Sequence, residues 1–258
     1  MGKNEERMGG STPFDQSIWN AIETMIEDNQ TPLKDVLEAF PAYVRRLSMS
    51  RFLAHYEIFK LVQDTPGVVV ECGVYRGASL LTWAKLLEIF CPGDRVRKVI
   101  GFDNFAGFPA LDVKDGPEAP SRSKVVGGWN AGPYYQEVLD HVDICQRDSF
   151  LPRAQRIELV VGNIEDTAAQ YVADHPGMRI SLLHLDVDIY KPTLAALQAF
   201  YPLVVPGGVV VFDEYGMGEW GGESAAFDEY FGAEAKMKLR CPPITSIPTA
   251  YFVKGESL

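Results

Sequence analysis

Five short apolar runs rich in β-branched residues punctuate the middle of this chain: Val68-Val-Val-Glu71, Val99-Ile-Gly-Phe-Asp103, Ile157-Glu-Leu-Val-Val161, Ile180 to Leu185, and Val209 to Phe212. Each is too short for a helix and lacks the polar alternation of a strand with one wet face. Between them, Ala78 to Phe90 and Thr193 to Tyr201 carry apolar residues at helical spacing. Strands buried on both faces and joined through helices pair in parallel, so the pattern specifies an α/β, doubly wound sheet. Near the C-terminus, Lys238-Leu-Arg-Cys241 and Ala250-Tyr-Phe-Val253 read as a closing hairpin pair. With these two the sheet is expected to be seven-stranded and mostly parallel.

The flanks divide the rest. Residues 1–13 are polar and contain Gly and Ser, and read as a disordered tail. Residues 14–66 repeat apolar positions at three and four (Ile18, Ala21, Ile22, Met25, Ile26; then Phe52, Leu53, Tyr56, Phe59) and form an N-terminal helical extension. The main domain is expected over 67–258. Within it, 104–152 is long and rich in Gly and Pro, the mark of a lid or binding insertion rather than a plain connector, the alternative being an ordinary surface insertion with a helix in it.

Composition narrows the partners. A net charge of -11 argues against gripping nucleic acid or an anionic membrane through the overall field. The N-terminus shows no signal region and no apolar run reaches membrane-spanning length, which reads as a cytoplasmic protein. Cys72, Cys91, Cys145 and Cys241 are scattered without metal-site spacing and read as reduced thiols.

Chemistry concentrates where strands end. The fourth run leads into Asp186-Val-Asp188 and the fifth into Asp213-Glu214. An unpaired buried carboxylate costs several kcal/mol, roughly, so four acids at two strand ends call for a cation, most simply a divalent metal. The first run ends in Glu71-Cys-Gly73-Val-Tyr-Arg-Gly77-Ala-Ser79, whose glycines permit close backbone approach and whose following helix offers free N–H groups to an anionic ligand. Asp103, closing the second run, is placed to accept ribose hydroxyls. A nicotinamide fingerprint would need Gly-x-Gly-x-x-Gly and an acid nearer the turn.

Four segments in order, Val69-Val-Glu71-Cys-Gly-Val-Tyr-Arg-Gly77, Gly101-Phe-Asp-Asn-Phe-Ala-Gly-Phe-Pro109, Leu185-Asp-Val-Asp-Ile-Tyr190 and Pro206-Gly-Gly-Val-Val-Val-Phe-Asp-Glu-Tyr-Gly216, resemble the macrocin O-methyltransferase family. The resemblance covers about residues 45–216. It implies a class I methyltransferase fold, S-adenosylmethionine and Mg2+ as cofactors, and methylation of a sugar hydroxyl in bacterial antibiotic biosynthesis. It implies cofactor contacts from Glu71, Gly73, Tyr75, Arg76, Gly77, Ser79, Asp103, Asn104, Asn163, Ile164 and Asp186. Asp186, Asp213 and Glu214 become the metal ligands and Asp188 the general base. Family members often carry Asp-Asp where this chain has Asp213-Glu214, and such enzymes are often homo-oligomers.

Other readings stay open beside it. Asp188 caps the following helix or takes a proton; Glu165 and Asp166 cap the helix near Thr167. His184, inside an apolar strand, reads as a core histidine, and His55 and Tyr56 as helix-face packing; the resemblance implies that this region, with Arg51, borders the cofactor and substrate entrance. Lys191 is a second candidate base. Trp129, Tyr134, Tyr135 and Trp220 are candidate substrate walls. Two rivals to the sugar acceptor are a catechol-like phenol on the same fold and a non-enzymatic cofactor-binding assembly protein.

Overall fold

A computed structural model describes residues 13–120, 123–232, 237–245 and 247–256. The expected tail over 1–13 lies outside the described residues except for Pro13, which begins the first helix. The parallel strands are β1 Val68–Cys72, β2 Val99–Asp103, β3 Ile157–Val161, β4 Ile180–Leu185 and β5 Val204–Phe212, and β6 Ala250–Val253 runs antiparallel to β5. Their order is β3-β2-β1-β4-β5-β6. The chain crosses from one half of the sheet to the other between β1 and β4, and a crevice opens at the carboxyl ends of strands at such a switch point.

The helices are α1 Pro13–Asp28, α2 Leu33–Glu38, α3 Phe40–Tyr43, α4 Arg46–Lys60, α5 Ala78–Phe90, α6 Tyr135–Arg147, α7 Ile164–Asp174, α8 Tyr190–Phe200 and α9 Gly222–Phe231. Successive strand residues point to opposite faces, so each strand feeds two cores. Val70, Ile100, Phe102, Leu183, Leu185 and Phe212 meet α7, α8 and α9 through Ala168, Tyr171, Ala196, Phe200 and Phe227. Val69, Val99, Leu182, Val209 and Val211 meet α4, α5 and α6 through Phe59, Trp83, Leu87 and Val138. Helices α1 to α3 contribute no buried residue. The ion pair of Asp15 with Arg45 ties α1 to the N-cap of α4.

The seventh strand expected over Lys238–Cys241 is not formed among the described residues. One antiparallel bridge, Arg240 to Tyr251, takes its place. Pro242 and Pro243 follow at once and have no N–H to continue a ladder.

The 104–152 insertion is two structures. Its second half is α6, whose Val138 and Val142 are buried against the sheet layer. Its first half is a loop pinned to α8 and α9. The buried Asp115 carboxylate accepts from Asp112 N (2.6 Å) and from Tyr190 N (2.6 Å), the first amide of α8. Lys124, 1% exposed, donates to the carbonyls of Asp115 and Glu219. Gly222 allows this closeness, since a Cβ there would lie 2.5 Å from Asp115 Oδ1.

Candidate active site

At the switch point, Gly73 adopts φ +92° and a Cβ on it would stand 1.7 Å from the Asp186 carbonyl oxygen. Only glycine lets the β1 and β4 ends approach this closely. The turn is braced from β2: Asp103 Oδ2 accepts from Val74 N (2.8 Å) and Tyr75 N (2.7 Å), and Oδ1 from Phe105 N (2.7 Å). The carboxylate expected at the ribose thus also holds the turn, with Oδ1 keeping a free lone pair. Asn104 Nδ2 donates to Asn163 Oδ1 (2.9 Å), joining the β2 end to the start of α7.

A cavity of about 570 Å³ opens above these ends. Gly73, Tyr75, Arg76 and Ser79 line it from the first turn, Asp103 and Asn104 from β2, and Asn163, Ile164 and Glu165 from α7. Asp186, Asp188, Asp213 and Glu214 line the opposite wall with Arg51, Trp129 and Trp220. Of the six described residues other than glycine with left-handed backbone, four, Tyr75, Ser123, Trp129 and Asp188, line this one cavity, and Gln30 and Phe105 do not. Strained backbone concentrated at one place is characteristic of a working site.

Some expected residues stand elsewhere. Glu71 is fully buried, bonded to Ser79 Oγ (3.1 Å) and His184 Nδ1 (3.2 Å), and does not reach the cavity. In β1 it shares a face with Val69, so it points beneath the turn. Gly77 is the left-handed residue at the N-cap of α5, outside the cavity lining, where a Cβ would meet Leu81 and Val138 at 3.6 Å. Tyr134 lies under the Arg76 guanidinium (4.1 Å) and Tyr135 against Phe105 (4.7 Å), so neither is a cavity wall. Lys191 is exposed and pairs with Asp112, outside the cavity lining. Asp188 does not cap α8: Ile189 holds the N-cap position without a side-chain bond, and Asp115 serves the helix amide.

The acids form one cluster. Arg51, from α4, donates through Nη1 to Asp213 Oδ2 (2.9 Å) and through Nη2 to Asp186 Oδ2 (2.8 Å). His184, 0% exposed, lies between Glu71 and Asp213, with Nε2 3.4 Å from Asp213 Oδ1. Burial alone would lower the His184 pKa, but hydrogen bonds to Asp213 and Glu71 carry it up to about 10. Burial would raise Asp213, yet the Arg51 and His184 charges hold it below the usual carboxylate range. Asp186 is pushed up to about 7 by burial and the Asp213 charge. Burial and neighbouring carboxylates push Asp188 and Glu214 well above their ordinary values. Behind them the buried Glu223, on α9, accepts from Glu214 N (2.9 Å) and is raised well above the usual value by burial and Asp213.

Among the described residues, Arg51 and His184 bond Glu71, Asp186 and Asp213, and neither of them bonds Asp188, Glu214 or Glu223. Among the described residues, no donor reaches the buried Glu214 Oε2 or Glu223 Oε1. Side-chain oxygens of Asp186, Asp188 and Glu214 lie within 4.8 Å of one another, as do groups of His184, Asp186 and Asp213, so the expected ligands Asp186 and Glu214 converge with Asp188, while the oxygens of the third expected ligand, Asp213, are turned to Arg51 and His184. Hard oxygen donors, a charge deficit and an unpartnered buried carboxylate oxygen are what a Mg2+-like cation requires. The residues present fit such an ion.

The family profile described as Macrocin-O-methyltransferase (TylF) matches residues 48–247. The chain belongs to the macrocin O-methyltransferase family. Among solved structures, the calicheamicin methyltransferase CalS11 superposes with a TM-score of 0.86 at 29% identity, covering 99% of this chain and 98% of that one. A curated relative from Streptomyces olivaceus, a tetracenomycin rhamnosyl 4'-O-methyltransferase, is 29% identical over 60% of this chain and 55% of its own length. The mycinamicin III 3''-O-methyltransferase of Micromonospora griseorubida is 27% identical over 63% of this chain and 61% of its own length. The chain thus spans less than two thirds of these curated relatives' length.

Within this family member, three residues near the acids have partners that the sequence does not show, although the resemblance already sets Arg51 at the site entrance. Arg51 reaches them from 135 and 162 residues away, and no local signal predicts that. His184 was legible only as a core histidine. Glu223 follows a Gly-Gly pair that reads as an ordinary turn.

Proposed function

We propose that the chain is an S-adenosylmethionine- and Mg2+-dependent O-methyltransferase whose acceptor is a sugar hydroxyl of a bacterial natural product. The observation that carries the reading is the acid cluster with its unpartnered Glu214 oxygen, set across one cavity from the glycine turn. Family membership and the sugar O-methyltransferase names of the relatives support the donor and the acceptor class.

The turn from Gly73 to Ser79 presents backbone close to the cofactor, with Asp103 and Asn104 at its ribose and Asn163 with Ile164 at its adenine. S-adenosylmethionine supplies an electrophilic methyl group on a sulfonium. Asp186, Asp213 and Glu214 would hold the divalent ion, which when bound supplies the positive charge that acidifies a hydroxyl beside it. Asp188 then receives the hydroxyl proton on its carboxylate oxygen as the acceptor oxygen attacks. Its left-handed backbone, φ +60°, keeps it in the cavity rather than on the helix. Trp129 and Trp220 flank the acceptor side, where aromatic faces suit sugar rings, and the loop pinned through Asp115 and Lys124 excludes water there. Helices α1 to α3, with no buried side chain, support the expectation that copies associate.

The test is an acceptor comparison in the presence of Mg2+ and S-adenosylmethionine. A deoxysugar-bearing acceptor should be methylated far faster than a catechol. Preferential catechol turnover would replace the sugar reading with the phenol one, and absence of cofactor binding would refute both.

A further inference from the structure

The acid cluster and the cofactor turn are joined beneath the cavity floor by a continuous line of side-chain contacts. Ser79 Oγ, in the first turn of α5, donates to Glu71 Oε1 at 3.1 Å. Glu71 Oε2 lies 3.2 Å from His184 Nδ1, and His184 Nε2 lies 3.4 Å from Asp213 Oδ1. Asp213 Oδ2 accepts from Arg51, whose other nitrogen holds Asp186. Glu71 and His184 are direct partners across the β1–β4 pairing, so the sheet itself fixes their spacing. Trp83 and His55 cover the imidazole at 5.7 and 5.5 Å between ring centroids, and Trp83 Nε1 also lies 3.4 Å from Nδ1, the nitrogen that stands closer, 3.2 Å, to Glu71 Oε2.

We infer that His184 is a positioning residue that couples the two halves of the site, so that a divalent cation at the acids and the cofactor at the Gly73 turn strengthen each other's binding. The inference rests on the function proposed above and adds to it a residue and a linkage. An imidazole has two ring nitrogens on opposite edges, and here each edge faces a carboxylate of a different strand. A cation that draws on Asp213 changes what that carboxylate gives to His184. Glu71 takes up the difference, and through Ser79 it sets the first turn of α5, which the cofactor contacts. A purely apolar residue at 184 would fill the core equally well but carry nothing between the two acids. Linkage makes the coupling reciprocal, and couplings of this kind run from about fivefold upward in affinity.

The experiment measures the dissociation constant of S-adenosylhomocysteine by calorimetry with and without saturating MgCl2, and that of Mn2+ by electron paramagnetic resonance with and without S-adenosylhomocysteine. The full-length wild-type chain, His184→Gln and Glu71→Gln are compared. The wild type should show the same enhancement, about fivefold or more, in both directions. In His184→Gln the enhancement should fall below about twofold while each ligand still binds alone. A residue that merely supports the fold would weaken both constants and leave their ratio unchanged. Glu71→Gln keeps the shape and removes the charge, so it reports on the relay should His184→Gln fail to fold, and it too should lose the enhancement. Enhancement retained in a folded variant, or absent in a wild type that binds both ligands, overturns the inference. A wild type that binds neither ligand overturns the proposed function instead.

Discussion

Replacing Gly73 with alanine, with Gly77→Ala as its control, isolates the close approach on which the site depends. Both glycines have left-handed backbone, φ +92° and φ +81°, so either substitution costs about 1–2 kcal/mol of conformational strain. At Gly77 the added methyl would make only ordinary contacts, 3.6 Å from Leu81 and Val138. At Gly73 it would overlap the Asp186 carbonyl oxygen at 1.7 Å, a backbone atom that cannot rotate away. Relief requires the strand ends to part. That separation breaks Asp186 N to Cys72 O (2.8 Å) and Gly73 N to Phe102 O (2.9 Å). Two such bonds at about 1 kcal/mol each bring the total to roughly 3–4 kcal/mol. At about 2–4 °C per kcal/mol for a domain near this size, Gly73→Ala should melt roughly 4–8 °C below Gly77→Ala by calorimetry. Because Asp186 moves with the strand end, cofactor affinity should fall in Gly73→Ala more than in Gly77→Ala. Melting points within about 1 °C of each other would refute the close-approach reasoning.

Three further outcomes follow from named contacts. Asp188→Asn should slow methyl transfer by about a hundredfold or more while S-adenosylhomocysteine still binds, as for loss of a general base, and unchanged single-turnover rates would remove Asp188 from that role. Asp115→Ala loses the acceptor of both Asp112 N and Tyr190 N, so chemical denaturation should register a loss of about 2 kcal/mol; a neutral effect would mean the loop is held otherwise. Arg156 is buried on Glu88 (2.6 Å) at the far end of the sheet. Arg156→Ala should cost about 3 kcal/mol yet leave cofactor affinity unchanged at temperatures where the variant is folded, and altered affinity would contradict the separation of the two regions.

The parallel sheet was legible because five β-branched runs without polar alternation leave few alternatives, and both acid pairs were legible because nothing else explains charge at the end of a buried strand. Side-chain direction was less so. Glu71 looked like part of the cofactor turn, but the period of two that places Val69 toward α5 places Glu71 there as well, beneath the cavity. Asp188 was readable as a helix cap until Asp115, 75 residues away, proved to hold the helix amide. Arg51 and the Glu71–His184–Asp213 line arise from tertiary approach across three strands and a helix, for which the sequence carries no local pattern. The missing seventh strand was in principle readable from Pro242 and Pro243. The helix α6 answers to the alternative of an insertion with a helix in it, and it occupies the part of the stretch after Pro133 that is free of glycine and proline.

The most direct test of the account is methyl transfer from labelled S-adenosylmethionine to a deoxysugar-bearing acceptor, run on one preparation as purified, after EDTA treatment, and after readdition of Mg2+. The acid cluster predicts that transfer disappears with the chelator and returns with the ion. Transfer that continues undiminished after complete removal of divalent cations would contradict it.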